Sequence, residues 1–409
     1  MSLTDPESPL PTGIQLLALD PKFREDPYPI LARLRKHDPV HHDTQLGRFV
    51  LTRHDDVADV LRNPDHWSDP RKALEGSFTR QFVGRDSDEE PSMLLMDDPG
   101  HRRLRNLVRH PFKPRAVDRW RERVRQVASK VVGEIDEGEF DLTARIANPI
   151  PTVVIAELLG VDPDRHQEFK RWSDTASKGA FGPPGDPADV DAAEEASQLL
   201  SQLFCDEIEK RRESPGEDLI STMVSAEETG DRLTNEEIVS QCTLLLLAGN
   251  LTTSDLIGNA VMALLQNPEQ LTKLRTRPDL MQNAVEEVLR YDTPVTDSGR
   301  VAEKDLEIGG IKIGQGESLS VSLAAANRDP EIYPEPDRFD IECDDTHHQA
   351  FGGGRHFCLG AHLARLEAAE TLSALLLRFP RLSLGKTGHR YASNPSFRGF
   401  ERFFVVGEL

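Results

Sequence analysis

Phe351-Gly352-Gly353-Gly354-Arg355-His356-Phe357-Cys358-Leu359-Gly360 runs directly into a helical pattern from Ala361 to Phe379. Glycines carry no Cβ restriction, so this backbone can turn sharply and lie flat against a ligand. Cys358 then stands at the mouth of a helix, where open N–H groups and the helix dipole favour a thiolate over a thiol. A thiolate with an open face is first of all a metal ligand. A single cysteine also fits the role of a small buried hydrophobe, so the decision falls to the other stretches of the chain.

Composition narrows the class. The chain has 409 residues and a formal net charge of −21, with a pI near 5.1. That charge argues against non-specific binding to nucleic acid or to an anionic membrane. Cys205, Cys242, Cys343 and Cys358 are too few and too scattered for a disulfide scaffold, which points to a reducing, cytoplasmic compartment. No basic segment leads into an apolar N-terminal run, and no stretch reaches the roughly 18 apolar residues of a membrane span. The expectation is a soluble monomer, mainly α with smaller β-sheet regions, with a Pro-rich surface arm over residues 1–20 and one domain over 21–409. There is no internal repeat and no low-complexity tract.

Working outward, the spacing predicts helices over Tyr28–His37 and Asp55–Arg62 and a short strand over Arg48–Thr52. Lys72 to Ser92 is a polar, irregular loop in which Phe78 and Phe82 are expected to lie open to whatever they cover. Acids and a proline open a helix at Asp97-Asp98-Pro99-Gly100. On it His101 and Arg105, four residues apart, share a face and could bind two oxygens of one anion. Arg102, Arg103, Arg109, Lys113, Arg115 and Arg119 make this the most basic part of an acidic chain, which suggests an acidic protein partner. The breaker cluster Phe181 to Pro187 predicts a loop between two helices, read as a lid or as a plain surface loop.

A second centre begins at Thr234-Asn235-Glu236-Glu237, a capping box in which Thr234 and Glu237 each satisfy a backbone N–H. The helical pattern then continues to Gln266, about 32 residues and roughly 48 Å. Its middle, Leu244 to Asp255, passes from apolar to small and polar. Gly249 there weakens the helix by about 1 kcal/mol relative to alanine, and Asn250, Thr252, Thr253 and Ser254 compete with the backbone ladder. The helix is making room, for a ligand or for a neighbouring helix. Further on, Glu287 and Arg290 share one face of a helix flanked by Ala284, Val288 and Leu289, which suggests a buried pair. Leu306 to Ile313 alternates around Gly309-Gly310 as a hairpin, and Glu317 to Leu323 supplies another strand.

Together these stretches resemble one family. Phe351-x-x-Gly354-x-His356-x-Cys358-x-Gly360 is similar to the haem-binding signature of the cytochrome P-450 monooxygenases of soluble bacterial type. Glu287-x-x-Arg290 and Ala248-Gly249-x-x-Thr252-Thr253 resemble two further signatures, in the family's order. The resemblance implies the P-450 fold, with haem b between the long distal helix (about 235–266) and the Cys358 loop and helix. Cys358 would be the axial thiolate of the iron, tuned by the N–H groups of Leu359 and Gly360. His101, Arg105, Arg300 and His356 would hold the propionates, with Phe351 and Gly352 beside the cysteine. Ala248 and Gly249 would leave space for O2, and Thr252 would pass it protons. Glu287, Arg290 and Arg338 would form a structural network. By the same resemblance Phe78, Phe82, Trp172, Phe181, Leu245, Ala248, Val295, Thr296 and Phe397 would line a mostly apolar substrate pocket. Electrons would come from NAD(P)H through a ferredoxin and its reductase, docking on Arg102, Arg103, Arg109, Lys113 and Arg355.

The chain departs from the family pattern at Leu251, where an acid is usual before the threonine. Leucine relays no proton, which leaves water held by Asn250, Thr253 or Asp255 as the route to Thr252. Other chemistries also fit parts of the chain. The Ala248-Gly249-Asn250-x-Thr252 run is similar to fungal nitric oxide reductases of the same superfamily, which take electrons directly from a nicotinamide, and a peroxide-using enzyme would share the fold. Cys343, His347, His348, His356 and Cys358 could instead be read as a mixed zinc site.

Overall fold

The computed structural model describes residues 9–83, 92–181, 187–228, 231–344 and 347–409. By internal contact the chain divides into two compact units, neither continuous in sequence. The first comprises Met1–Asp97, Asn267–Cys358 and Tyr391–Arg398; the second comprises Asp98–Gln266, Leu359–Arg390 and Gly399–Leu409.

The first unit is built on a four-stranded sheet in the order Val40–Asp43, Arg48–Leu51, Ser318–Ser322, Asp297–Val301. Its central pair is parallel, with Arg48 opposite Ser318 and Leu51 opposite Val321; the outer pairings are antiparallel. Successive side chains on a strand point to opposite faces. Phe49 and Leu51 accordingly join one apolar cluster with Val57, Val60, Leu61, Leu319 and Val321. Val50 joins another with Leu16, Phe23, Ile30, Leu31 and Leu34. The N-terminal segment thus departs from a surface arm. Leu16 and Leu17 are buried, and Asp43 accepts hydrogen bonds from Thr12 Oγ1 at 2.6 Å and from Gly13 N at 2.9 Å. The hairpin forms as expected, with Leu306–Ile308 pairing Ile311–Ile313 around Gly309 and Gly310 at φ 59° and 83°.

The second unit is helical. Asn235–Gln266 forms a single helix of 32 residues, opened by the expected capping box: Thr234 N donates to Glu237 Oε2 at 2.9 Å, and Glu237 N to Thr234 Oγ1 at 3.2 Å. This helix is long and apolar enough to cross a membrane, yet 61% of its most apolar window is buried inside the fold. It is a core helix, packed by Pro149–Leu159, Pro187–Glu213 and Ala361–Arg378. Helices hydrophobic all round are those surrounded by protein, and Leu256 to Leu264 is buried at every position. A three-stranded sheet, ordered Arg381–Tyr391, Phe400–Glu408, Gly138–Asp141, completes the unit.

Candidate active site

In the first unit the glycine-rich stretch is a closed loop. Cys358 N donates to Phe351 O at 2.9 Å, and Gly352 N to Gln349 O at 2.8 Å. Gly352 and Gly354 lie at φ 67° and 61°, the left-handed region that other residues adopt at a cost. A Cβ on Gly354 would also stand 2.6 Å from Leu61 O, so the loop packs directly on the end of the His54–Arg62 helix. Among the described residues nothing lies within 4 Å of a Cβ placed on Gly352. Cys358 and Phe357 are exposed, and the rings of Phe351 and Phe357 lie 6.3 Å apart.

Side chains far away in sequence hold this loop, and local pattern did not reveal them. Ala350 N donates to His348 Nδ1 at 3.3 Å, which places the His348 proton on Nε2, 3.1 Å from Glu286 Oε2. Gln349 N donates to Asn327 Oδ1 at 2.6 Å, and Gln349 Nε2 lies 3.0 Å from His54 Nε2. His356 Nε2 is 2.9 Å from Ser68 Oγ. These ties scatter the ligands of the imagined zinc site, and no three His, Cys, Asp or Glu side chains converge as metal ligands among the described residues.

Arg300 is 6% exposed, with Nη1 bonded to Gly299 O at 2.7 Å and Ser298 Oγ at 3.2 Å. Among the described residues it makes no ion pair. Burial, and then the Arg355 cation, lower its pKa to about 10 against a smaller opposing pull from Asp97. A buried cation with no ion pair is costly, and it suits an anionic group such as a propionate. Glu287 and Arg290 form the buried pair, at 2.7 and 2.8 Å. The expectation for Arg338 is corrected: its side chain is exposed and pairs with Glu335 and Asp340. Its backbone carbonyl, with those of Asn327 and Pro336, is what Arg290 uses. A carbonyl has no side-chain signature, so the sequence pointed to the wrong atoms of the right residue.

In the second unit the long helix carries the other residues. Leu247, Ala248, Gly249, Leu251 and Thr252 are only half-buried at the middle of this helix, and among the described residues nothing lies within 4 Å of a Cβ on Gly249. The midpoint does make room. Thr252 Oγ1 donates to Ala248 O at 2.8 Å. Asn250 faces away, its Oδ1 accepting from Thr152 Oγ1 at 3.0 Å, and Ser254 Oγ donates to Ala147 O at 3.0 Å. Thr253 is buried. Burial pushes the Asp255 carboxyl up to about 8. His101 is buried on the Gly100–Val108 helix with Nδ1 3.5 Å from Asp98 Oδ1, and Arg105 is half-buried one turn on. Leu359 and Gly360 are half-buried where the Ala361–Arg378 helix begins, and among the described residues nothing lies within 4 Å of a Cβ on Gly360.

The pocket candidates divide between the units. In the first, Phe78 is buried beneath the Arg48 guanidinium at 4.3 Å, contrary to the expected open ring. Val295 and Phe397 face each other across an isolated bridge, and Thr296 N donates to Ser396 O at 2.9 Å. In the second, Trp172 and Leu245 are buried. The side chains of Phe82 and Phe181 and residues 182–186, where the sequence predicts a loop, lie outside the described residues. Two of the basic docking candidates are committed elsewhere. Arg103 pairs with Glu237 at 2.5 Å and donates to Arg232 O, while Arg355 donates to His66 O at 2.5 Å and pairs with Asp97. Arg102, Arg109 and Lys113 are exposed.

The family model described as cytochrome P450 matches residues 187–391. Cytochrome P450 monooxygenase PikC of Streptomyces venezuelae is 40% identical over 403 residues, covering 96% of this chain and 93% of that one. The 6-deoxyerythronolide B hydroxylase of Saccharopolyspora erythraea is 38% identical over 373 residues, covering 89% and 91%. Among solved structures, cytochrome P450 PksS of the Bacillus subtilis bacillaene polyketide synthase superposes with a TM-score of 0.86 at 32% identity, over 96% of this chain and 99% of that one.

Proposed function

The chain belongs to the cytochrome P450 family, and we propose that it inserts one oxygen atom of O2 into a small apolar organic substrate, with electrons passed from NAD(P)H through a ferredoxin. It has the family's fold, binds haem b and is a haem-thiolate monooxygenase.

The residues present fit that group. Cys358 would hold the iron, and Arg300, His356, His101 and Arg105 would hold the propionates with charge-assisted hydrogen bonds. When bound, the haem supplies an iron centre whose cysteinate ligand favours O–O cleavage, a general property of such haems. The protein's part begins with the loop: the bond from Cys358 N to the Phe351 carbonyl fixes the backbone that presents Sγ, and the Phe351 ring beside it would limit water. On the long helix, Ala248 and Gly249 leave room, and the Thr252 hydroxyl gives its hydrogen to Ala248 O. Its lone pairs stay open to accept a hydrogen bond from a proton-bearing group.

The observation that carries the reading is the exposed Cys358 on a loop closed by its own backbone, accompanied by a buried arginine that makes no ion pair among the described residues. The apolar character of Trp172, Leu245, Val295 and Phe397 supports an apolar substrate. Exposed Arg102, Arg109 and Lys113 support docking of an acidic ferredoxin. Nitric oxide reduction with electrons taken directly from a nicotinamide is the second reading, favoured by the Ala248-Gly249-Asn250-x-Thr252 run. Purified haem-loaded protein supplied with NADH alone, then with NAD(P)H, ferredoxin and reductase, separates the two. Oxygen consumption that requires the ferredoxin supports the proposal, and nitric oxide consumption with NADH alone sinks it. Ligands that displace iron-bound water shift the haem absorption, so screening terpenoids, steroids, fatty acyl and aromatic compounds identifies the substrate.

A further inference from the structure

The helix that carries Thr252 has no acid next to that residue, since Leu251 stands there. The same helix supplies one elsewhere. At about 100° per residue, Ala248, Thr252, Asp255 and Asn259 fall within a sector about 60° wide, so Asp255 shares the face on which Thr252 lies. Asn250 and Ser254 lie on the opposite side and are engaged by Thr152 and Ala147, which removes Asn250 from any relay to Thr252.

Asp255 is 6% exposed, and its carboxyl takes part in no hydrogen bond or ion pair among the described residues. The chain is built around this group. A Cβ on Gly399 would lie 1.7 Å from Asp255 Oδ1, so only glycine lets the backbone pass against the carboxyl. A buried acid with no structural partner weakens a fold. Its placement one turn along from a proton-passing threonine gives that cost a use.

We propose that Asp255 is the proton-holding residue that acts through Thr252, in the part that Leu251 cannot play. The inference rests on the monooxygenase reading. The step moves one proton and no electrons. The Asp255 carboxyl releases its proton to an intervening solvent molecule, which gives one of its own to Thr252 Oγ1 as that hydroxyl turns its hydrogen away from Ala248 O and delivers it onward. The carboxylate is then recharged from solvent. Burial favours the un-ionised acid, so the proton is in place at neutral pH.

Infrared difference spectra of the resting protein, wild type against D255N, read this carboxyl without turnover. The expected result at neutral pH is a C=O stretch of an un-ionised acid that shifts in D2O and is missing from the variant; a carboxylate signature overturns the proposal. During turnover, positioned proton transfer contributes about 10²–10⁴-fold. Product formed per NADH is expected to fall on the order of 10²-fold in D255N, with a changed solvent isotope effect, and to recover in D255E. Equal coupling and an equal isotope effect in wild type and D255N overturn it. If the monooxygenase reading itself fails, the wild type incorporates no oxygen either, while the infrared band still reports on Asp255.

Discussion

The Glu287 carboxylate takes two N–H groups of the Arg290 guanidinium, at 2.7 and 2.8 Å, and the two side chains are 2% and 3% exposed. Neither charge has water to fall back on. Glu287 Oε1 also accepts from Asp340 N at 2.8 Å, while Arg290 binds three backbone carbonyls. The pair therefore staples the Asn327 and Pro336–Asp340 segments, which lead into the cysteine loop, to the Met281–Tyr291 helix.

Removing one partner of such a pair strands the other, at about 3–5 kcal/mol. E287A is expected to unfold earlier by that amount in urea and to purify with little haem. E287Q, which keeps the shape and one acceptor, should fall between. Urea midpoints and haem content per chain check this, and an E287A protein as stable and as haem-loaded as wild type refutes the assignment.

Arg300 should behave in the opposite way. Its cation is buried and makes no ion pair among the described residues, with Asp97 acting only at longer range, so its stabilising partner is expected to arrive with the haem. R300M then raises the melting temperature of haem-free protein while weakening haem retention. A charged hydrogen bond is worth about 1.5–3 kcal/mol, so haem transfer to apomyoglobin should quicken roughly 10- to 100-fold. Apoprotein melting and haem transfer are read separately, and a fall in both refutes the role.

What the sequence made legible was local. The Thr234 capping box and the Gly309-Gly310 hairpin each rest on residues within three positions of one another, and both formed. The Phe351–Gly360 signature pointed to the fold through its resemblance to a family's, and two of its glycines, Gly352 and Gly354, do take left-handed backbone. The rest depended on distant partners. Arg103 looked free because Glu237 lies far along the chain, Leu16 and Leu17 looked like an arm because the sheet that buries them comes later, and Ser68 and His356 are separated by 288 positions. Arg338 entered its network by a carbonyl, which every residue possesses.

Behind the cysteine loop, His348 joins Glu286 to the Ala350 N–H, and its ring centroid lies 6.0 Å from that of Phe351. H348F keeps the ring and loses both bonds, a cost of about 1–3 kcal/mol. The expected effect is a loop that still folds but holds Cys358 less rigidly. With CO bound to reduced protein, more of the haem should show the spectrum of an iron without its thiolate. H348Q, which keeps an acceptor and a donor, should restore part of the cysteinate-ligated signal. An unchanged spectrum in H348F would show that the histidine does not position the loop.

The raised Asp255 pKa carries a stability signature of definite sign. Burial moves it from 3.8 to about 8. Below about pH 4 the carboxyl is protonated in both folded and unfolded chains and contributes no difference. Between about 4 and 8 the unfolded chain releases this proton and the folded chain retains it, so stability falls as pH rises; above about 8 the loss levels off. Each tenfold change in acidity corresponds to about 1.4 kcal/mol, which makes the full effect several kcal/mol. The amide of D255N has no such proton, so the gap in unfolding free energy between D255N and wild type should change steadily from pH 4 to 8, in the direction that favours the variant. Urea denaturation of both proteins across that range measures it, and a gap that stays constant would mean that Asp255 ionises as an ordinary surface acid.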